Sequence, residues 1–130
     1  MLFEHMALNV NDVRTVAAWY VAQLGLQVVR SRPDAPYTHF LADDTGRVFL
    51  ELYSNPINPV PDYRLQHPLR LHLAFAVTDA RAERTRLEQA GATLAVEEPQ
   101  PDGSLLIMMR DPWGVPVQLC QRTKPLLKLG

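Results

Sequence analysis

The sequence predicts an α+β fold made of two tandem βαβββ modules that share a curved mixed sheet, with the helices on its outer face. Three observations predict it. First, the text of Glu4–Asp12 returns at Leu71–Asp79, with His5/His72, Ala7/Ala74, Val10/Val77, Asp12/Asp79 and Arg14/Arg81 in register at an offset of 67 residues. Second, each copy opens with a strand-like alternation, continues with helical spacing, and closes with three further alternating runs. Third, Ser54–Pro68 carries Pro56, Pro59, Pro61 and Pro68, so it is neither an interior strand nor a helix and separates the copies. A repeat this long exceeds the units of solenoids and propellers, and two copies imply a pseudo-symmetric pair. The expected organisation is one domain over 1–130: module 1 at 2–53, a linker at 54–69, module 2 at 70–122 and a tail at 123–130.

In chain order, residues 2–10 alternate as a strand, with Met6, Leu8 and Val10 on one face and His5, Ala7 and Asn9 on the other. Asp12 is a suitable helix N-cap because its carboxylate can accept from the free N–H groups of a first turn. Behind it Val13, Val16, Ala17, Tyr20, Val21 and Leu24 form one apolar helical stripe, and Gly25 supplies the left-handed residue that ends it. Strands follow at Leu26–Arg30, Tyr37–Ala42 and Arg47–Tyr53, with a loop at Ser31–Pro36 and a turn at Asp43–Gly46. Beyond the connector, read as extended and stiff, the pattern repeats. A strand at Arg70–Val77 leads to a helix capped by Thr78 or Asp79, closed at Gly91, with Ala80, Leu87 and Ala90 inward. Strands at Thr93–Glu98, Ser104–Arg110 and Val115–Gln121 complete it, the last two joined by Asp111–Gly114. The basic tail after Gln121, with Leu126, Leu127 and Leu129, predicts no firm structure.

Bulk composition narrows the function classes. The chain is 47% hydrophobic and 21% charged with a net charge of −1, so no positive field attracts nucleic acid or acidic membranes. Cys120 is the single cysteine and cannot form an internal disulfide. No run approaches the roughly 18 apolar residues of a membrane span, and the N-terminus lacks the order of a signal peptide. The expectation is a cytoplasmic protein.

The repeat also singles out a chemical set. Glu51 follows His5 by 46 residues, and Gln118 follows His72 by the same 46. Alternation turns all four away from the aliphatic faces (Val48, Leu50 and Leu52; Leu71, Leu73 and Phe75; Val115, Val117 and Leu119) and sets small neighbours such as Ala7 and Ala74 beside the histidines. Any one His or Glu on an amphipathic strand is ordinarily a solvated surface group. Two His and two carboxylate or amide positions, symmetric under one repeat, make an N/O-rich set suited to a divalent metal. His39 and His67 have no symmetric partner and read as surface or pocket-rim residues. Cys120 shares the face of Gln118 and reads as a small buried apolar group, with a thiol near the metal as the alternative. Trp113 either closes over a substrate or packs in the fold. The sequence holds no Ser/His/Asp arrangement, phosphate-cradling glycine loop or zinc-finger spacing.

The His-x-Ala-x-x-Val-x-Asp openings, the helix text Ala18-Trp19-Tyr20-Val21-Ala22-Gln23-Leu24-Gly25-Leu26 and the closing Asp111-Pro112-Trp113-Gly114-Val115-Pro116-Val117-Gln118-Leu119 resemble the vicinal oxygen chelate superfamily. That group holds glyoxalase I, fosfomycin-resistance thiol transferases, extradiol dioxygenases, methylmalonyl-CoA epimerase and bleomycin-resistance proteins. The resemblance spans residues 2–122 and implies two modules closing into a U-shaped cup around a metal. By position the ligands are His5, Glu51, His72 and Gln118, and the ion is Zn, Ni, Mn, Co or Fe. Metal-dependent members usually close on Asp-x-x-Gly-x-x-x-Glu, and Gln118 replaces that Glu. An amide can ligate but cannot take up a proton at neutral pH, so the role of base passes to Glu51 or to a metal-bound water. The expected function is a metal-dependent glyoxalase-like lyase or isomerase acting on a small oxygen-rich metabolite. One alternative is a metal-free drug- or metabolite-binding protein of the bleomycin-resistance type, its pocket lined by Phe49, Tyr53 and Trp113 with Cys120 nearby. Another is an iron-dependent ring-cleaving dioxygenase, against which the amide at 118 argues. A homodimer is expected, and substrate choice is expected to reside in loops such as 31–36 and 99–103.

Overall fold

A computed structural model describes residues 1–127. It divides into two compact units, Met1–Pro61 and Asp62 onward. Leu129 of the tail lies outside the described residues.

The first unit contains β1 (Met6–Asn9), α1 (Val13–Leu24), β2 (Gln27–Ser31), β3 (His39–Ala42) and β4 (Val48–Tyr53). Its sheet runs β1-β4-β3-β2, with β1 parallel to β4 and the other pairs antiparallel. Asp12 caps α1 as expected: its carboxylate accepts from the Thr15 backbone N–H at 3.2 Å and from the Thr15 hydroxyl at 2.8 Å. These contacts, the hydroxyl first, hold the Asp12 carboxyl below its ordinary range. Gly25 takes the left-handed conformation, φ 69°, that ends the helix. Val13, Val16, Ala17 and Tyr20 are buried, and α1 packs on the sheet face carrying Leu41, Leu50 and Leu52, each fully buried. Burying one such leucine contributes about 2 kcal/mol.

The second unit repeats the plan with β5 (Leu73–Ala76), α2 (Ala80–Gln89), β6 (Thr93–Pro99), β7 (Leu105–Arg110) and β8 (Pro116–Gln121), in the order β5-β8-β7-β6. Asp79, rather than Thr78, is the cap of α2, accepting from Ala82 N–H at 3.0 Å. Leu87, Ile107, Met109, Val117 and Leu119 form its core beneath α2. Among the described residues, no helix is long and apolar enough to cross a membrane.

Several local expectations need correction. Val21 is 40% exposed and Leu24 and Ala90 are half-buried, because α1 and α2 each bury a narrower stripe than the apolar spacing offers. The opening strands are shorter than their alternation: pairing starts at Met6 and Leu73, where a parallel neighbour exists, and Leu2 and Phe3 stay exposed. The connector is not uniformly extended. Tyr63–Leu65 forms a 3₁₀ turn capped by Asp62, with Tyr63 buried, and Asp62–Leu69 fall within the second unit.

The later part of the connector is held by Arg110. Arg110, at the end of β7, donates Nη1 to the Tyr63 carbonyl (3.0 Å) and the Gly114 carbonyl (2.9 Å), and Nη2 to the Gln66 carbonyl (2.8 Å). The turn beside it is equally committed. Asp111 accepts from the N–H groups of Trp113 and Val115, both at 2.9 Å, and Gly114 adopts φ 93° with the Arg64 backbone pressed against it.

Candidate functional site

In the first unit the candidate residues are placed by β1 and β4. Parallel pairing sets Ala7 beside Glu51, which leaves His5, two residues earlier on the same face, at the mouth of the strand pair. His5 Nε2 approaches Glu51 Oε2 to 3.3 Å, and His5 Nδ1 lies 2.9 Å from Glu4 Oε1. Both central side chains are mostly covered, His5 being 27% and Glu51 21% exposed. A neutral imidazole carries one N–H and one lone pair. Whichever nitrogen holds the hydrogen, the other turns a lone pair toward a carboxylate oxygen. A second proton, on the ring or on a carboxyl, or a metal ion would satisfy that arrangement. Phe40 fixes the ring from a third strand: it pairs with Glu51 across β3–β4, and its ring meets His5 edge-on with centroids 5.3 Å apart. Phe49 and Tyr53 flank Glu51 on the same face, half-buried.

The second unit uses equivalent strands with other side chains. Ala74 pairs with Gln118, and His72 stands two residues ahead of it. His72 Nδ1 lies 2.7 Å from the Pro68 carbonyl, an acceptor only, so Nδ1 carries the hydrogen and Nε2 is left as a lone pair. Anchoring one ring nitrogen on an oxygen is the arrangement that orients metal-ligating histidines. Met108 takes the place of Phe40, pairing with Gln118 across β7–β8. Cys120 is buried and donates its thiol to Gln118 Oε1 at 3.4 Å, while burial pushes that thiol's pKa up. It therefore behaves as a structural group, as its apolar reading anticipated.

Beside Gln118 the second unit opens a cavity of about 300 Å³, lined among others by His67, Leu69, Val96, Glu98, Met108 and Gln118. Trp113 does not line it; it sits half-buried in the Asp111–Gly114 turn. The first unit has a more open hollow of about 420 Å³ at Asn11–Thr15, closed on one side by Tyr37, over whose ring the Arg14 guanidinium lies at 4.7 Å. Its lining includes neither His5 nor Glu51.

His5 and Glu51 thus meet directly, while His72 and Gln118 share one face of adjacent strands. Among the described residues, no three His, Cys, Asp or Glu side chains form a ready metal cluster. The donor types nonetheless fit a divalent ion: two imidazoles, a carboxylate and an amide oxygen. Residues the sequence did not single out are Phe40 and Met108, which pair beside Glu51 and Gln118, and Arg110, which binds the carbonyls of the connector ahead of His72.

The profile of a family described as a glyoxalase-like domain matches residues 5–120. The chain belongs to that family. It is a member of the vicinal oxygen chelate superfamily, and solved structures agree. SMU.1112c is 28% identical, with TM-score 0.69, covering 92% of this chain and 98% of that one. TnmS3, an antibiotic-binding protein from Streptomyces sp. CB03234, is 21% identical, with TM-score 0.71 and coverage of 95% and 97%. Lactoylglutathione lyase from Agrobacterium tumefaciens is 22% identical, with TM-score 0.66 and coverage of 92% of each chain. The last two likenesses establish the glyoxalase-like fold alone. No curated protein sequence matches the chain significantly.

Proposed function

We propose that the protein is a divalent-metal-dependent lyase or isomerase of the glyoxalase-like kind, acting on a small oxygen-rich metabolite held through two adjacent oxygens. The observation that carries this reading is the approach of His5 Nε2 to Glu51 Oε2 at 3.3 Å while the other ring nitrogen faces Glu4. That pair is built for a cation. His5, Glu51, His72 and Gln118 are the proposed ligands, with zinc, nickel, manganese, cobalt or iron as the ion. When bound, the metal supplies Lewis acidity that polarises the substrate oxygens.

The rest of the chemistry falls to the chain. Glu51 is the proposed base, taking a proton from the carbon next to a substrate carbonyl and returning it during isomerisation or elimination. Gln118 cannot share that work, since an amide neither gains nor loses a proton near neutrality. It leaves the site one positive charge richer than a second glutamate would, which favours an anionic substrate oxygen. Phe40 and Met108 lie beside Glu51 and Gln118 on the neighbouring strands and give each an apolar flank.

Calorimetric titration of metal-stripped protein with Zn²⁺ or Ni²⁺ tests this. Expected is a dissociation constant near or below ~1 µM, weakened about 100-fold by His5→Ala or Glu51→Gln, in keeping with loss of a direct ligand. Indifference to both substitutions would refute the ligand set.

The apolar floor of the second unit's cavity, from Val96, Leu106 and Met108, favours a second reading: metal-free binding of a small molecule. Purified protein holding under about one-tenth of an equivalent of metal, and refusing reloading, would support it over the first.

A further inference from the structure

The connector places two histidines on either side of one peptide group. The Pro68 carbonyl accepts from His72 Nδ1 at 2.7 Å, and the N–H of the same peptide, on Leu69, donates to His67 Nδ1 at 3.1 Å. A peptide has one donor and one acceptor, so the two rings receive opposite instructions. His72 must carry its hydrogen on Nδ1 and present a lone pair at Nε2. His67, already accepting at Nδ1, must carry its hydrogen on Nε2 and present a donor. The amide between them is polarised in one sense by both contacts, which strengthens each.

The segment is held firmly enough for this to matter. Arg110 fixes the Gln66 carbonyl at 2.8 Å, and the Arg70 N–H donates to the His67 carbonyl at 2.8 Å. His67 stands at the rim of the 300 Å³ cavity that also exposes Gln118, with Val96, Leu106 and Met108 as its apolar floor. Of the charged groups lining that cavity, Arg110 is engaged with three carbonyls and Glu98 offers only acceptors.

We propose that His67 is the second unit's donor to a substrate oxygen, held as a neutral Nε2–H by the same peptide that readies His72 as a ligand. The ligand class is a small molecule joining an acceptor oxygen, carbonyl or carboxylate, to an apolar group of ring size. Placing the oxygen next to the metal rests on the proposed function; the donor role of His67 does not. A neutral imidazole donates a hydrogen bond to such an oxygen without giving up its proton.

Two measurements test the inference. In metal-free protein, nitrogen NMR of the histidine rings at pH 7 is expected to find the hydrogen on Nε2 of His67 and on Nδ1 of His72. A hydrogen on Nδ1 of His67, or a doubly protonated ring there, overturns the inference. Calorimetry with benzohydroxamate, which has two adjacent oxygens on an apolar ring, gives the second readout on zinc-loaded protein. His67→Phe is expected to weaken binding about tenfold, the worth of one net hydrogen bond, with His67→Gln recovering most of it and zinc affinity unchanged in both. Equal affinity for wild type and His67→Phe, or no binding to wild type, overturns the proposal. If wild type takes up no zinc, the metal reading fails; benzohydroxamate bound by zinc-free protein and weakened by His67→Phe then still supports the donor.

Discussion

The two units share element order, strand order and helix caps, yet they hold their histidines by different means. In the first, His5 is held by side chains: Glu4 at one nitrogen, Glu51 at the other and the edge of Phe40 against the ring. In the second, His72 is held by backbone, the Pro68 carbonyl, on a connector that Arg110 pins at two further carbonyls. The first unit places two carboxylates beside its histidine. The second has uncharged groups at the equivalent positions, with Gln118, Met108 and a buried thiol. Duplicated strands therefore do not imply duplicated surroundings: one histidine faces carboxylates, the other a backbone carbonyl.

Exchanging the acids is the strongest way to break that contrast. Glu51→Gln should lower turnover by 10²–10⁴, roughly the worth of a general base. Adding Gln118→Glu to it should restore metal affinity without restoring turnover, measured by calorimetry beside steady-state rates on one substrate. Recovery of the rate would show that either unit can hold the base.

The turn glycines separate the units next. A β-carbon on Gly114 would sit 2.3 Å from Arg64 Cγ and 2.8 Å from its backbone nitrogen, whereas one on Gly46, the matching position, meets nothing within 4 Å. Gly114→Ala should cost about 3 kcal/mol through backbone displacement and positive φ. Gly46→Ala should cost about 1 kcal/mol from its φ alone. Urea unfolding of both variants reads the difference; equal losses would mean that the connector yields freely.

The arginines sharpen it further. Arg110→Met removes three hydrogen bonds to backbone carbonyls, of which the Tyr63 carbonyl keeps the Gln66 N–H, and should cost about 2 kcal/mol, allowing for the partial exposure of that site. Arg47, whose guanidinium donates to the Phe3 carbonyl at the first unit's exposed edge, should cost about 0.5 kcal/mol when replaced by Met. Faster amide exchange at Leu69 in Arg110→Met would confirm that the guanidinium holds the peptide between the histidines.

Acid response should be the smallest difference. Asp12 in the first unit and Asp102 in the second both have carboxyls below the ordinary range, the former chiefly through the Thr15 hydroxyl and the latter chiefly through the Ser104 backbone N–H. A depressed folded pKa contributes stability above the unfolded value, about 3.9, that is lost as pH falls through the folded one. Asp12→Asn and Asp102→Asn should each flatten the fall in urea midpoint below about pH 4 and leave the slope near neutrality unchanged.

The repeat made the faces of β1, β4, β5 and β8 legible, and with them all four proposed ligands, because alternation and one constant offset suffice to orient a strand residue. The connector stayed hidden. It has no copy in the other half, and its order comes from Arg110, more than forty residues away in sequence, reaching backbone carbonyls that carry no sequence signature. Phe40 and Met108 escaped for a different reason. The bulge at Leu41/Ala42 gives the first unit's hairpin one residue more than its counterpart, so the offset that aligns Glu51 with Gln118 misaligns the strands beside them. His67 reads as a surface or rim residue and does line the cavity; what spacing leaves out is its tautomer, which depends on where one peptide points.

Gly114 also limits how this chain can vary. With the Arg64 backbone lying where a side chain would be, and Arg110 binding carbonyls on both sides of that contact, the stretch from Tyr63 to His72 has a fixed length: an inserted residue would slip the Pro68–Leu69 peptide out of reach of one ring or the other. Residues 55–61 carry no such clamp beyond Asn9, which holds the Asn58 carbonyl and the Asn55 N–H. Insertions, fusion points and protease sites should therefore be tolerated around Pro59–Pro61 and refused a few residues downstream, which makes that short upstream stretch the natural seam for recombining one half with another.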